Sequence, residues 1–175
     1  EKESQAVEEL EMALAIGFTD SSLYFDLGFL RSKTEVPENA LRHLQIAVKH
    51  RDYALGSRLL LAQIQQQLGQ LSEASVEYLE ALRIADSLVV PSEQSDEIRQ
   101  LYEPLIEAQG HQTETDKMEQ LCENVKHLLL RPDWRSGVTQ AREQLPKYAE
   151  GIVPLAEILT QAQSGQVIEA VGKVR

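Results

Sequence analysis

His43 and His50 lie seven residues apart, two helical turns, so a helix would place them on one face. With Glu38 or Asp52 beside them they offer imidazole and carboxylate, a set that could touch a divalent metal. The spacing is not that of H-E-x-x-H, and paired histidines on an exposed helix serve equally well as polar surface. His111 and His127 stand alone. Cys122 is the only cysteine and sits between Leu121 and Val125 on a helical pattern. A thiolate nucleophile needs a neighbour that lowers its pKa; none flanks it, so a buried, inert thiol is expected. A single cysteine can form neither an internal disulfide nor a thiolate zinc cage. Phosphate-cradling Gly-rich loops, nucleophile elbows and dinucleotide fingerprints are missing, and the 9 Gly are scattered. The chain reads as non-catalytic, with no cofactor and no metal. A helical enzyme with a site assembled near residues 93–150 is the third-ranked reading.

Charge narrows the partners. Among 175 residues, 17 Lys+Arg face 28 Asp+Glu, a formal net charge of −11. Phosphate backbones and anionic lipid call for clustered Lys and Arg, so neither nucleic acid nor a membrane surface is an expected ligand. Residues 93–123 hold nine Asp and Glu against Arg99 and Lys117, so much of the excess is local. That stretch either steers a basic partner or forms a solvated outer face. No apolar run approaches the roughly 18 residues of a membrane span, and no charged-then-apolar leader opens the chain. With the lone cysteine, this gives a cytoplasmic expectation. Hydrophobic residues make up 42 %, enough for a core, while 5 % aromatics is thin for a sandwich or barrel.

The elements that hold these residues are set by an internal repeat. Ala6, Ala40 and Ala74 recur at steps of 34, as do Ala13, Ala47 and Ala81. Leu10, Leu44 and Tyr78 lie between them at the same step, and Leu27 and Leu61 add a fourth column. Ala-x-x-x-Leu/Tyr-x-x-Ala puts three residues on one helical stripe. The alanines let a neighbouring helix come close and the larger residue fills the remaining gap. Gly28 and Ala62 occupy equivalent sites on the preceding helix, where two helices must nearly touch. Helices are expected at about 1–17, 21–34, 37–51, 54–68 and 71–87, with Asp20 or Ser21 as an N-cap and Pro37 in a first turn.

Tyr24-x-x-Leu27-Gly28 followed by Ala40-x-x-x-Leu44-x-x-Ala47 resembles a tetratricopeptide repeat, whose 34-residue period it shares. Leu61-Ala62, Gly69 and Ala74-x-x-x-Tyr78-x-x-Ala81 are similar, with Gly69 at the family's turn between paired helices. The copies diverge: Arg58 stands at an aromatic position, Arg31 and Gln65 at a tyrosine, Glu35 at the turn glycine, and Asp52 and Asp86 at the closing proline. The resemblance covers about residues 4–86. It implies an all-α, right-handed α-solenoid of helical hairpins: residues 1–88 form a partial first copy and two full ones. Residues 89–175 are read as divergent hairpins continuing the superhelix, and both ends read as cuts through a longer stack.

Beyond residue 88 the period is lost. Helices are expected at about 93–109, with Ile98, Leu101, Tyr102 and Leu105 inward and Pro104 kinking or splitting it. Others follow at 116–130, with Met118, Leu121, Val125 and Leu128/Leu129 inward, at 133–145 with Asp133 a cap and Trp134 a packing anchor, and at 147–163, broken near Gly151 and Pro154. Ser164-Gly165 and Glu169-Ala170 read as the turn and second helix of another degenerate copy.

The resemblance also implies a protein or peptide partner on the concave face. The candidate groove residues are Phe25, Asp26, Phe29 and Lys33 in one copy, and Leu59, Gln63, Gln66 and Gln67 in the next. An apolar centre with an amide rim suits a peptide with one or two apolar anchors. The competing reading is that Phe25 or Phe29 packs against neighbouring repeats. Phe25, Asp26, Phe29, Leu59, Leu60 and Gln63 do not match the Lys/Asn/Arg set of the family's carboxylate-clamping members, so no such clamp is expected. The function so derived is a non-catalytic interaction scaffold. The runner-up is a structural spacer or self-association segment of a larger protein.

Overall fold

The computed structural model describes residues 1–34, 36–145 and 151–161. The described residues form helices, turns and irregular connections, with no strand among them. The helices pack against one another in two compact units, Glu1–Gly69 and Gln70–Arg175.

The first unit holds α1 (Lys2–Ala15), α2 (Ser21–Ser32), a 3₁₀ turn (Pro37–Ala40), α3 (Leu41–Ala47) and α4 (Ala54–Gln67). Asp20 caps α2: its Oδ1 accepts the Ser22 N–H at 2.9 Å and the Ser22 hydroxyl at 2.8 Å. These bonds favour the charged form and hold the Asp20 carboxyl below its usual range. α1 stops at Gly17, a terminator that the repeat columns do not flag. With Gly17 at φ +101°, Phe18 N–H reaches the Ala13 carbonyl and Gly17 N–H that of Leu14, the paired bonds of a Schellman cap. Gly69, at φ +75°, ends α4 as expected.

The helix expected over 37–51 is shorter. Pro37 opens it as a 3₁₀ turn, and after Ala47 the bonds tighten to three-residue steps, Lys49 to Ile46 and His50 to Ala47. His50 Nδ1 then accepts the Asp52 N–H at 3.2 Å, so a side chain competes with the helix for that donor. α2 packs on α1, α3 and α4 around Ala40, Leu44, Leu61 and Ile64.

In the second unit, α5 (Leu71–Val89) touches α6 (Ser92–Gly110), α7 (Thr115–Leu129), α8 (Trp134–Glu143) and α9 (Ala156–Gln161). α7 buries the five residues expected of it, and Cys122 and Asn124 as well. On α6, Ile98 and Tyr102 are fully buried and Leu101 and Leu105 half-buried. Pro104 does not split α6. It and Gln100, whose carbonyl loses its helical donor to the proline ring, are both exposed, so water can serve that oxygen. Asp133 precedes α8 without capping it, because its carboxylate is taken by Arg131 through two 2.6 Å bonds. Trp134 is half-buried, with the Arg135 guanidinium 4.7 Å from its ring. Residues 151–154 are non-helical, which leaves α9 as the described part of the helix expected over 147–163. The degenerate copy at 164–170 lies outside the described residues.

The repeat columns hold their places. Leu27 and Leu61, Gly28 and Ala62, Ala40 and Ala74, Leu44 and Tyr78, and Ala47 and Ala81 are all buried. Ala6, Leu10 and Ala13 share the columns yet are only half-buried, and α1 has no buried residue.

Candidate functional site

α2, its C-cap Lys33 and α4 carry the eight candidate residues, which differ in burial and contacts. Phe25 is a packing residue: it lies against the Ala40–Leu44–Leu61–Ile64 cluster, and its ring stacks on Tyr53 at 5.4 Å between centroids. A Cβ on Gly56 would stand 3.0 Å from the Phe25 ring, so Gly56 is the hollow that admits it. The competing sequence reading, packing, therefore holds for Phe25: its column lies where α2 meets the start of α4. Phe29, one helical turn on, is 40 % exposed, and the Lys33 ammonium sits 4.2 Å from its ring centroid. Asp26 and Gln67 are exposed, while Leu59, Gln63 and Gln66 are half-buried.

Lys33 also lines a cleft of about 280 Å³ between α1 and α2, with Glu3, Val7, Glu8, Leu30 and Arg31. An Arg31–Glu11 ion pair ties the same two helices. At the far end of α1, Met12, Ile16 and Phe18 are 67 %, 76 % and 60 % exposed. Met12 and Ile16 are one turn apart on a single face.

Burial, then Arg31 and Arg42, push the His43 pKa down, which favours the neutral imidazole. Among the described residues no group of three or more His, Cys, Asp or Glu is placed to hold a metal ion. Burial raises the Cys122 thiol to about 11. No described helix is long and apolar enough to cross a membrane.

Sequence reasoning missed a polar junction in the second unit. Asp86, fully buried near the end of α5, accepts the Tyr102 hydroxyl at 2.8 Å and the Arg142 Nη1–H at 2.5 Å. It also accepts the Leu155 N–H at 2.9 Å. Burial and the Asp86 carboxylate push the Tyr102 phenol pKa far up, so the hydroxyl keeps its proton. Along the α5–α6 seam, Gln109 donates to Ser75 Oγ at 3.0 Å, and Ser95 donates to the Ser87 carbonyl at 3.0 Å. Asp86 had drawn notice only as an aspartate in a proline column, and Arg142 lies 56 residues away with no shared period.

No family model, curated protein or solved structure matches the chain.

Proposed function

We infer that the chain is a non-catalytic interaction scaffold of tetratricopeptide-like hairpins arranged as an α-solenoid, taking a peptide or helical segment of a partner protein. The observation that carries this reading is the common burial of residues 34 apart: Ala40 with Ala74, Leu44 with Tyr78, Ala47 with Ala81. A repeated unit that buries the same columns stacks on its neighbours and leaves its outer faces for recognition. With Phe25 committed to packing, the candidate contact set narrows to Phe29, Asp26, Lys33, Leu59, Gln63, Gln66 and Gln67. Phe29 is the apolar anchor, since an aromatic ring left 40 % exposed has surface to bury against a partner. Pre-organised helices spare the scaffold's share of the ordering cost.

A peptide-array screen followed by titration tests the proposal. Phe29→Ala should weaken a selected peptide about tenfold or more, roughly 1.4 kcal/mol, with the thermal midpoint unmoved. Unchanged affinity would place the contact elsewhere.

The exposed Met12, Ile16 and Phe18 favour a second reading, self-association through the end of α1. Sedimentation equilibrium separates the two: association lost on Ile16→Lys supports self-association, and a monomer at all concentrations removes it.

A further inference from the structure

Phe29 and the α1–α2 cleft share Lys33. Its ammonium lies 4.2 Å from the Phe29 ring centroid, and the same side chain lines the cleft. The aromatic anchor and the cleft therefore lie within one side chain's reach of each other. The cleft holds about 280 Å³, below the roughly 300–1,000 Å³ of a small-molecule pocket, so it suits a single side chain. Its lining decides which. Val7 of α1 and Leu30 of α2 are half-buried and give it an apolar wall on each side. Glu3 and Glu8 stand to either side of Val7, because helical spacing places them at the two flanks of the α1 face that lines the cleft. Both are exposed, and among the described residues neither carboxylate has an ion-pair or hydrogen-bond partner. The cations of the cleft are already engaged: Arg31 pairs with Glu11, and Lys33 lies over Phe29. An anion entering here would meet two carboxylates and compete for cations already held. A long basic side chain meets the opposite: its aliphatic stem can lie along Val7 and Leu30 while its charged head reaches the carboxylates. The chain's net charge of −11 favours the approach of a basic partner and opposes that of a second copy.

We propose that the α1–α2 cleft is the basic-residue subsite of a peptide surface anchored at Phe29. The partner it fits is a peptide that carries an Arg or Lys near its apolar anchor, with the basic head held by Glu3 and Glu8. Lys33 marks the boundary between the subsites: its own charge already occupies the Phe29 ring, which leaves the carboxylates of α1 for the incoming cation. The proposal rests on the scaffold reading with Phe29 as anchor, and adds to it the charge of the partner.

The test uses the full chain and amidated peptides bearing one Leu and one Arg at varied spacing, each with counterparts in which Gln or Glu replaces the Arg. Affinity is measured by calorimetry at low and at physiological salt. The best Arg peptide should bind at least about tenfold tighter than its Gln counterpart, and the margin should shrink as salt rises. Glu3→Gln together with Glu8→Gln should remove that margin while leaving the Gln peptide's affinity and the thermal midpoint unmoved. Phe29→Ala should weaken the Arg and Gln peptides alike. Arg and Gln peptides that bind equally, while Phe29→Ala weakens both, would overturn the basic subsite and leave the scaffold reading standing. A preference for the Glu peptide would overturn it too. An Arg margin that depends on Glu3 and Glu8 but not on Phe29 would keep the cleft as a basic subsite and overturn its link to the anchor. Binding by none of the peptides would overturn both.

Discussion

Leu44 fills the space that a side chain at position 28 would need. A Cβ on Gly28 would stand 2.6 Å from Leu44 Cδ2 and 2.7 Å from its Cγ. Leu44 is itself fully buried among Ala40, Leu61 and Ile64, so it has little room to swing away. The glycine thus serves close helix approach at a cost in helix propensity of about 1 kcal/mol.

Gly28→Ala should therefore lower stability, although it improves helix propensity. Overpacking costs about 1–3 kcal/mol, which exceeds the gain. The urea midpoint should fall, and adding Leu44→Val should recover part of the loss. A higher midpoint for Gly28→Ala alone would show that Leu44 yields freely.

Phe25 and Phe29 differ by one helical turn and should differ in kind. Phe25→Ala removes a ring from the α2–α4 packing and should cost about 2 kcal/mol or more. Phe29→Ala should stay within about 0.5 kcal/mol, as surface changes usually do. Thermal melts of the two variants side by side measure the contrast. Equal losses would mean that Phe29 is also part of the core.

How far the sequence reaches is visible in these residues. Gly28, Leu44, Ala40 and Ala47 were legible because close packing repeats along one helical stripe, and a stripe leaves a period in the chain. The inward face of α7 was legible for the same reason. Phe25 stayed open between groove and packing because an aromatic one position off the packing stripe can face either solvent or the next helix, and that depends on the hollow at Gly56. Asp86 left no trace: its partners come from α6, α8 and Leu155, and nothing periodic links them. Of the two outcomes expected at Pro104, the split does not occur, because the ring and the freed Gln100 carbonyl lie on the exposed side of the helix.

Ser75 and Gln109 should respond unequally to substitution. Ser75 Oγ accepts from Gln109 and also donates to the Ser72 carbonyl at 2.8 Å. Gln109→Leu leaves the serine with a partner and should cost little. Ser75→Ala leaves the buried Gln109 amide without this acceptor, at about 1–3 kcal/mol. The double variant should be more stable than Ser75→Ala alone. A denaturation cycle over the four proteins decides it, and equal single losses would refute the asymmetry.

Cys122 should be a silent thiol in the folded protein. Its pKa of about 11, raised chiefly by burial, leaves roughly a thousandth as thiolate at pH 8. Iodoacetamide should label it only as urea opens the second unit. The linkage has a definite sign. Between the ordinary 9.0 and 11 the folded thiol keeps a proton that the unfolded one has lost. Its contribution is complete below pH 9 and fades as pH rises to 11. Cys122→Ala should flatten the stability profile across that window, and an unchanged slope would assign the alkaline loss to other groups.

Tolerance to sequence drift should be uneven along the chain. α5 buries nine of its residues, Asp86 among them, and touches every other described helix of its unit. A change there disturbs several neighbours at once. α1 buries none and can vary far more freely wherever no partner covers it. Natural variants of this protein should accumulate in the helix from Lys2 to Ala15 and spare the helix from Leu71 to Val89.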